Sequence, residues 1–92
     1  MIRSFRCDDT KALARGFASR RFRAIEMQAR TRLARIEAAT CLDDLARIPG
    51  NRLEALSGNR KGQYSVRINN QWRICFVWSM QGPEGVEIVD YH

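Results

Sequence analysis

The stretch from residue 60 to residue 78 constrains the fold most, because it has the pattern of two strands joined by a tight turn. Apolar and polar residues alternate on both sides of Asn69 and Asn70. The apolar positions are Tyr64, Val66, Ile68, Trp72, Ile74 and Phe76. This period of two predicts a β-hairpin with one buried face. Asparagine tolerates positive φ better than other non-glycine residues, which favours a turn at Asn69 and Asn70.

The length of the turn follows from matching the apolar faces of the two strands. A two-residue loop would pair Ile68 with Gln71 and mix apolar with polar side chains, whereas a three-residue loop pairs Ile68 with Trp72. A shift of one residue reverses every side chain, so burial of one face selects the three-residue loop. In this register Arg67 lies opposite Arg73 on the other face of the hairpin.

The pairing of Arg67 with Arg73 has two interpretations, because like charges across a ladder repel each other. Either both guanidinium groups lie in water, which screens the repulsion, or an anion such as phosphate binds between them through charge-assisted hydrogen bonds. The chain has 16 Lys and Arg residues against 10 Asp and Glu residues, for a net charge of +6. This excess suggests an acidic partner, most simply nucleic acid.

The length of 92 residues predicts a single domain over 1–92. The three cysteines, Cys7, Cys41 and Cys75, are odd in number and have no C-x-x-C spacing, which argues against a disulfide framework and a zinc site. We interpret them as reduced thiols. No segment resembles a signal peptide or a membrane span, so the sequence predicts a cytoplasmic protein.

The rest of the chain predicts an α+β fold, in which two N-terminal helices pack on one face of a mostly antiparallel, four- to five-stranded sheet. Apolar residues at helical spacing form one stripe of the second helix: Ile25, Ala29, Leu33 and Ile36. The expected elements are an edge strand at 2–7, helices at 10–17 and 23–39, a further helical turn at 40–46, an extended segment at 51–56, the hairpin, a connection at 80–85 and a last strand at 86–92.

The chain ends in Asp90, Tyr91 and His92, which hold its one histidine and three groups able to exchange protons. A terminal histidine taken alone is usually incidental. Two neighbouring ionisable residues directly after a predicted strand favour a functional tail.

Several blocks of the sequence together resemble HigB-type toxins, a branch of the RelE/ParE toxin superfamily. The similar blocks are 1–5, 51–68, 71–76 and 89–92, with Trp72-Arg73-Ile74 and Asp90-Tyr91-His92 the more specific ones. The resemblance implies a compact RelE-like fold and the toxin of a type II toxin-antitoxin system. It also implies a ribosome-dependent mRNA endonuclease that halts translation and uses no metal or organic cofactor. The implied partners are the ribosome, mRNA and a HigA-type helix-turn-helix antitoxin, with operator DNA reached only through the toxin-antitoxin complex and with no membrane.

The resemblance also implies roles for particular residues. Cleavage by in-line attack of a 2′-hydroxyl needs a base, cationic stabilisation of the phosphate and an acid for the leaving oxygen. Arg73 would stabilise the phosphate, and the last three residues would transfer protons or position the substrate. The RNA backbone would be held by the charges of Arg60, Lys61 and Arg67.

The chain departs from the family pattern at Glu54 and Ser57, where some HigB proteins have His and Lys. This departure removes one candidate base and one phosphate-binding cation. Glu54 is then either the substitute base or an ion-pair partner of a nearby arginine.

Two other functions fit the same scaffold. ParE relatives inhibit gyrase by binding it as a protein, and a nucleic-acid-binding module without catalysis would also be basic. A gyrase inhibitor does not need proton-transfer groups at the C-terminus, so Arg73 together with Asp90, Tyr91 and His92 favours the ribonuclease.

Overall fold

The predicted hairpin is the centre of a four-stranded antiparallel sheet in the structure, a computed structural model that describes residues 1–90. The strands lie side by side in chain order and are Glu54–Ala55 (β1), Gln63–Arg67 (β2), Trp72–Ser79 (β3) and Gly82–Asp90 (β4). The helices are Asp8–Ala14 (α1), Glu26–Ala38 (α2) and Leu42–Ala46 (α3), with 3-10 turns at Arg23–Ile25, Pro49–Asn51 and Gly58–Arg60. This arrangement confirms the predicted α+β class. In residues 1–90, no helix combines the length and the apolar character needed to cross a membrane.

The register of the β2–β3 hairpin is the predicted one. Arg67 lies opposite Arg73, and the backbone N–H of Ile68 donates to the carbonyl of Trp72 at 2.9 Å. Neither turn asparagine has a positive φ, so the expectation that positive φ favours asparagine here is wrong. The turn is instead closed by the side chain of Asn69, whose Oδ1 accepts the backbone N–H groups of Gln71 and Trp72, both at 2.8 Å.

One apolar core joins the helices to one face of the sheet. The predicted apolar stripe is confirmed, with Ala29 0%, Leu33 2% and Ile36 0% exposed in α2 and Ile25 5% exposed in the 3-10 turn that precedes it. The other buried members of this cluster include Leu13, Phe22, Val66, Ile68, Ile74, Phe76, Val86 and Ile88. These sheet residues share one face, and the opposite face carries the polar and charged side chains together with Cys75, Val77 and Val89.

Helix α1 begins and ends earlier than predicted. Its N-cap residue is Cys7, so Asp8 and Asp9 lie in the first turn, where their charge still favours the helix dipole. Gly16 has a φ of +91° and ends the helix in a Schellman motif. Phe17, predicted to lie inside the helix, therefore falls beyond it and is 65% exposed.

The N-terminal segment lies beside β4 without forming the predicted strand at 2–7. Only Phe5 makes a bridge, which runs parallel to Val86. The N–H of Arg6 donates to the carbonyl of Val86 at 3.0 Å, and the N–H of Val86 donates to the carbonyl of Ser4 at 3.1 Å. The two apolar residues of the segment, Ile2 and Phe5, are three positions apart, so the alternation that supports a regular strand is missing.

The turn between β3 and β4 is shorter than the predicted connection at 80–85. Strand β4 already starts at Gly82, and Pro83 lies opposite Trp78. Gly82 has a φ of +123°, and a β-carbon there would lie 2.7 Å from the carbonyl oxygen of Met1. Glycine followed by proline usually marks a loop, but proline is tolerated in an edge strand such as β4.

Replacing Thr10 with Val should lower the free energy of unfolding by about 1–3 kcal/mol. Thr10 is fully buried, and its Oγ1 accepts the backbone N–H of Ile88 at 3.0 Å. Valine has nearly the same shape but leaves that N–H without its acceptor. The control is Thr31→Val, because the exposed Thr31 hydroxyl only donates to the carbonyl of Met27 within α2. Urea unfolding of both variants checks this prediction, which fails if their midpoints agree.

Candidate functional site

The sheet face turned away from the hydrophobic core carries three of the predicted site residues, Glu54, Arg67 and Arg73. Cross-strand pairing joins Glu54 to Ser65 and Ser65 to Cys75, and then joins Cys75 to Glu87. Directly opposed residues share a face, so one row of side chains crosses all four strands. Ser65 and Cys75 are both fully buried, although they lie on the polar face.

Arg73 lies diagonally beside Ser65 on this face and is 7% exposed. Its Nε donates to Ser65 Oγ at 2.7 Å, and its Nη2 donates to the carbonyl of Arg52 at 2.8 Å. The carboxylate of Glu54 lies 3.8 Å from the same Nη2. The carbonyl of Ser65 also accepts from Nη2, at 3.5 Å, so neutral oxygens hold the guanidinium group beside the exposed acid Glu54. Arg73 does not lie in water, so the solvated interpretation is wrong for this residue.

Arg67 turns away from Arg73 although the two lie opposite each other in the ladder. Its Nε donates to the carbonyl of Asn69 at 3.3 Å, and its Nη2 donates to the side-chain oxygen of Asn70. The like-charge pair is thus accommodated because each guanidinium group bonds to its own end of the hairpin.

Arg60 is part of an ion pair at the other end of this face. Its Nη1 donates to Glu87 Oε1 at 2.8 Å and to Gln63 Oε1 at 3.1 Å. Arg6 also approaches Glu87, at 3.8 Å. Glu87 thus compensates part of the charge of Arg60. Lys61, the next residue, is exposed.

Burial raises the pKa of the Cys75 thiol, and Glu87 raises it further, while Arg60 and Arg73 act in the opposite direction. Cys75 is therefore an uncharged, buried thiol between the two arginines. This agrees with its interpretation as a reduced cysteine and gives it no role as a nucleophile.

Asp90 ends β4 and lies opposite Trp72, one pair beyond Arg73, which lies opposite Val89. This register puts Asp90 on the face of Trp72 rather than on the face of Arg73. Its Oδ2 accepts a hydrogen bond from Gln71 Nε2 at 3.1 Å. The other two predicted tail residues, Tyr91 and His92, lie outside the described residues.

A cleft of about 290 Å³ opens beside the Arg73–Glu54 pair. It is lined by Glu54, Ala55, Leu56, Ser57, Asn59 and Arg60. The structure thus brings Glu54, Arg60 and Arg73 to one side of the sheet. Arg67 lies at the hairpin end of this face, and Asp90 lies on the opposite face. Within residues 1–90, no three His, Cys, Asp or Glu side chains are grouped as metal ligands.

Three groups that shape this site were not predicted. Ser65 and Glu87 lie on the polar face of their strands, so their alternation could have placed them there. The carbonyl of Arg52 is different. It reaches Arg73 where the backbone of Arg52 has a left-handed conformation, with a φ of 43°. The sequence carries no recognisable signal for that contact.

Comparison with known proteins decides which family this site belongs to. The family described as the RelE-like toxin of the type II toxin-antitoxin system HigB matches residues 3–92. The chain belongs to this HigB-like toxin family. A curated relative is Toxin HigB-1 of Vibrio cholerae serotype O1 (strain ATCC 39315 / El Tor Inaba N16961), which is 49% identical over 43 residues. That match covers 47% of this chain and 45% of the relative.

The HigB-like family assignment agrees with the resemblance that the hairpin and tail motifs indicated. The matched region includes every predicted site residue: Glu54, Arg60, Lys61, Arg67, Arg73, Asp90, Tyr91 and His92. Their individual roles stay predictions.

Proposed function

We propose that this HigB-like toxin is a ribosome-dependent endoribonuclease that cuts mRNA and so inhibits translation. One observation carries the proposal. The guanidinium group of Arg73 is fixed by Ser65 and Arg52 beside the exposed carboxylate of Glu54, at a polar cleft. A cation held without side-chain freedom, next to a possible proton acceptor, is what phosphodiester cleavage by a 2′-hydroxyl needs.

In this mechanism the 2′-oxygen attacks the adjacent phosphorus as its proton passes to a base, and the 5′-oxygen leaves with a proton from an acid. Arg73 stabilises the negative charge that develops on the phosphate. Glu54 is the candidate base on the same face, because its side chain is 54% exposed and lies 3.8 Å from Arg73. Tyr91 and His92 are the candidates for the acid.

Asp90 has a different role in this proposal. Because its register position lies on the opposite face from Arg73, we assign it to substrate positioning at the end of β4. Lys61 and Arg67 hold the RNA backbone by charge. Arg60 contributes less, since Glu87 compensates its charge at 2.8 Å.

The proposed partners are the ribosome, mRNA and a HigA-type helix-turn-helix antitoxin, and the proposed location is the cytoplasm. Operator DNA would be reached only through the complex with that antitoxin. The chemistry assigned here uses amino-acid side chains alone, without a metal ion or an organic cofactor.

In-vitro translation with purified ribosomes tests the proposal. We expect the purified protein to cut a defined message at discrete positions when ribosomes are present, and to leave the same message intact when they are omitted. Mapping the new 5′-ends gives the readout, and supercoiled DNA with gyrase is the parallel control. Intact messages together with gyrase-dependent DNA breaks would contradict the ribonuclease and support the ParE-like alternative.

A further inference from the structure

Three arginines that do not line the cleft meet where α2, the hairpin and the 3-10 turn at Pro49–Asn51 come together. Arg32 Nε donates to the carbonyl of Arg67 at 3.3 Å. Arg35, one turn further along α2, donates from Nη1 to Asn51 Oδ1 at 3.0 Å. Arg67 itself bonds to the hairpin turn. We call Arg32, Arg35 and Arg67 the arginine cluster.

The arginine cluster is held by neutral acceptors only. Backbone carbonyls and asparagine side chains fix its three guanidinium groups, and none of the ion pairs within residues 1–90 includes any of the three. The nearby acids of α2 have other partners, since Glu26 pairs with Arg30 and Glu37 accepts the N–H of Ile2. The cluster therefore keeps its positive charge.

The three side chains are half-buried, which strengthens their mutual repulsion. Arg32 lies against Gly50, where an added β-carbon would lie 3.8 Å from Nη2. Burial, followed by the charges of Arg35 and Arg67, lowers the pKa of Arg32. A protein that only needed a stable fold would gain from a carboxylate or an uncharged residue at this place.

We propose that the arginine cluster is a binding site for RNA phosphate, separate from the cleft that Glu54 and Arg60 line. An arginine has five N–H donors in a planar fork that matches phosphate oxygens, and each member of the cluster uses only one or two of them on the protein. A phosphodiester would relieve the repulsion and accept several charge-assisted hydrogen bonds at once.

The ligand is assigned to RNA rather than to an acidic protein because Arg67 links the two sites. Its side chain lies on the face of Arg73, while its carbonyl accepts the hydrogen bond from Arg32. An RNA strand that passes over the hairpin end can therefore contact both the arginine cluster and the site around Arg73. The identity of the ligand rests on the proposed function, but the presence of an anion site does not. The phosphate belongs either to the message or to ribosomal RNA.

Binding assays with Arg32→Gln and Arg23→Gln test this site. Both variants lose one charge, but Arg23 is exposed and has no side-chain hydrogen bond or ion pair with the described residues. The probes are a labelled single-stranded RNA and ribosomes without message, each titrated between about 50 and 200 mM salt. We expect Arg32→Gln to weaken binding roughly tenfold and to reduce the salt slope by about 1, well beyond the control.

The pattern of losses identifies the source of the phosphate. Weaker binding to the single-stranded RNA alone indicates the message strand, and weaker binding to ribosomes alone indicates ribosomal RNA. Weaker binding to both indicates a site that accepts either RNA, and each of these results supports the site. If Arg32→Gln and Arg23→Gln bind both probes equally, the site is refuted, and an acidic protein becomes the better candidate ligand. Message cleavage by the wild type is scored separately, so the two proposals can fail independently.

Thermal melting shows whether weaker binding of Arg32→Gln comes from partial unfolding rather than from the lost charge. Removing one of three like charges should leave the melting temperature of Arg32→Gln unchanged or higher than that of the wild type. If it falls, Arg32→Lys decides the question, because lysine keeps the charge but lacks the planar fork. A folded Arg32→Lys protein that binds RNA as tightly as the wild type, with the same salt slope, would refute recognition of the phosphate by the planar guanidinium group of Arg32.

Discussion

Replacing Arg73 with Ala should lower the rate of message cleavage on the ribosome by about two to three orders of magnitude. This is the usual effect of removing one preorganised donor that stabilises charge in a transition state. Arg73 is preorganised because Ser65 Oγ and the carbonyl of Arg52 fix two of its nitrogens, at 2.7 and 2.8 Å. Single-turnover cleavage of a message on stalled ribosomes measures the rate.

The Arg73→Ala variant needs a control for stability, since the side chain is only 7% exposed. Its loss leaves Ser65 and the carbonyl of Arg52 without their donor, which costs about 1–3 kcal/mol. Ser65→Ala removes one of these hydrogen bonds but keeps the guanidinium group, so it should lose stability with a much smaller loss of rate. A folded Arg73→Ala protein that cut mRNA at the wild-type rate would refute the assigned role.

The largest loss of stability is expected for Phe22→Ala, at about 3–5 kcal/mol. Phe22 is fully buried between the helices and the sheet, and its ring meets that of Trp72 edge-on with centroids 5.4 Å apart. Truncation removes this contact and leaves a cavity. Because small domains are stable by only about 5–15 kcal/mol, the variant should be close to unfolding at room temperature.

Phe17→Ala is the matched control for this prediction. The two phenylalanines lie five positions apart in the sequence, but Phe17 is 65% exposed. Its truncation should change the free energy of unfolding by less than about 0.5 kcal/mol. Urea unfolding, followed by circular dichroism, gives both values. Equal midpoints for the two variants would show that Phe22 does not anchor the core.

The elements predicted well from the sequence are those whose periodicity is long and unbroken. Alternation over both strands of the hairpin selected one register, and the structure has Arg67 opposite Arg73 as that register requires. The apolar stripe of the second predicted helix is equally clear, because four apolar residues recur over three turns. In both cases burial of one face removes every competing arrangement.

The elements predicted poorly are short or depend on contacts far away in the chain. No sequence pattern marks Phe22 as a core residue, because a single aromatic residue between two arginines has no periodic neighbours. Gly82 and Pro83 resembled a loop, although the sheet edge accommodates both. Local pattern does not reveal which segment covers an edge, so tertiary packing decided these cases.

The candidate site was predictable in its residue types but not in its bonding. Alternation placed Arg73 on the polar face correctly. Its burial depends on the chain reversal at Arg52, which no sequence pattern announces. Arg73 and Asp90 lie on opposite faces of the sheet, which follows from counting positions along β3 and β4 once their pairing is known.

The covering of β4 limits how this protein can associate with others. The N–H and carbonyl of Val86 are bonded to Ser4 and Arg6, and the N–H of Ile88 is bonded to Thr10. A strand from another molecule that added to this edge would first have to displace all three hydrogen bonds. The N-terminal segment and Thr10 therefore act as a guard against edge-to-edge polymerisation, which is the usual hazard of an open sheet.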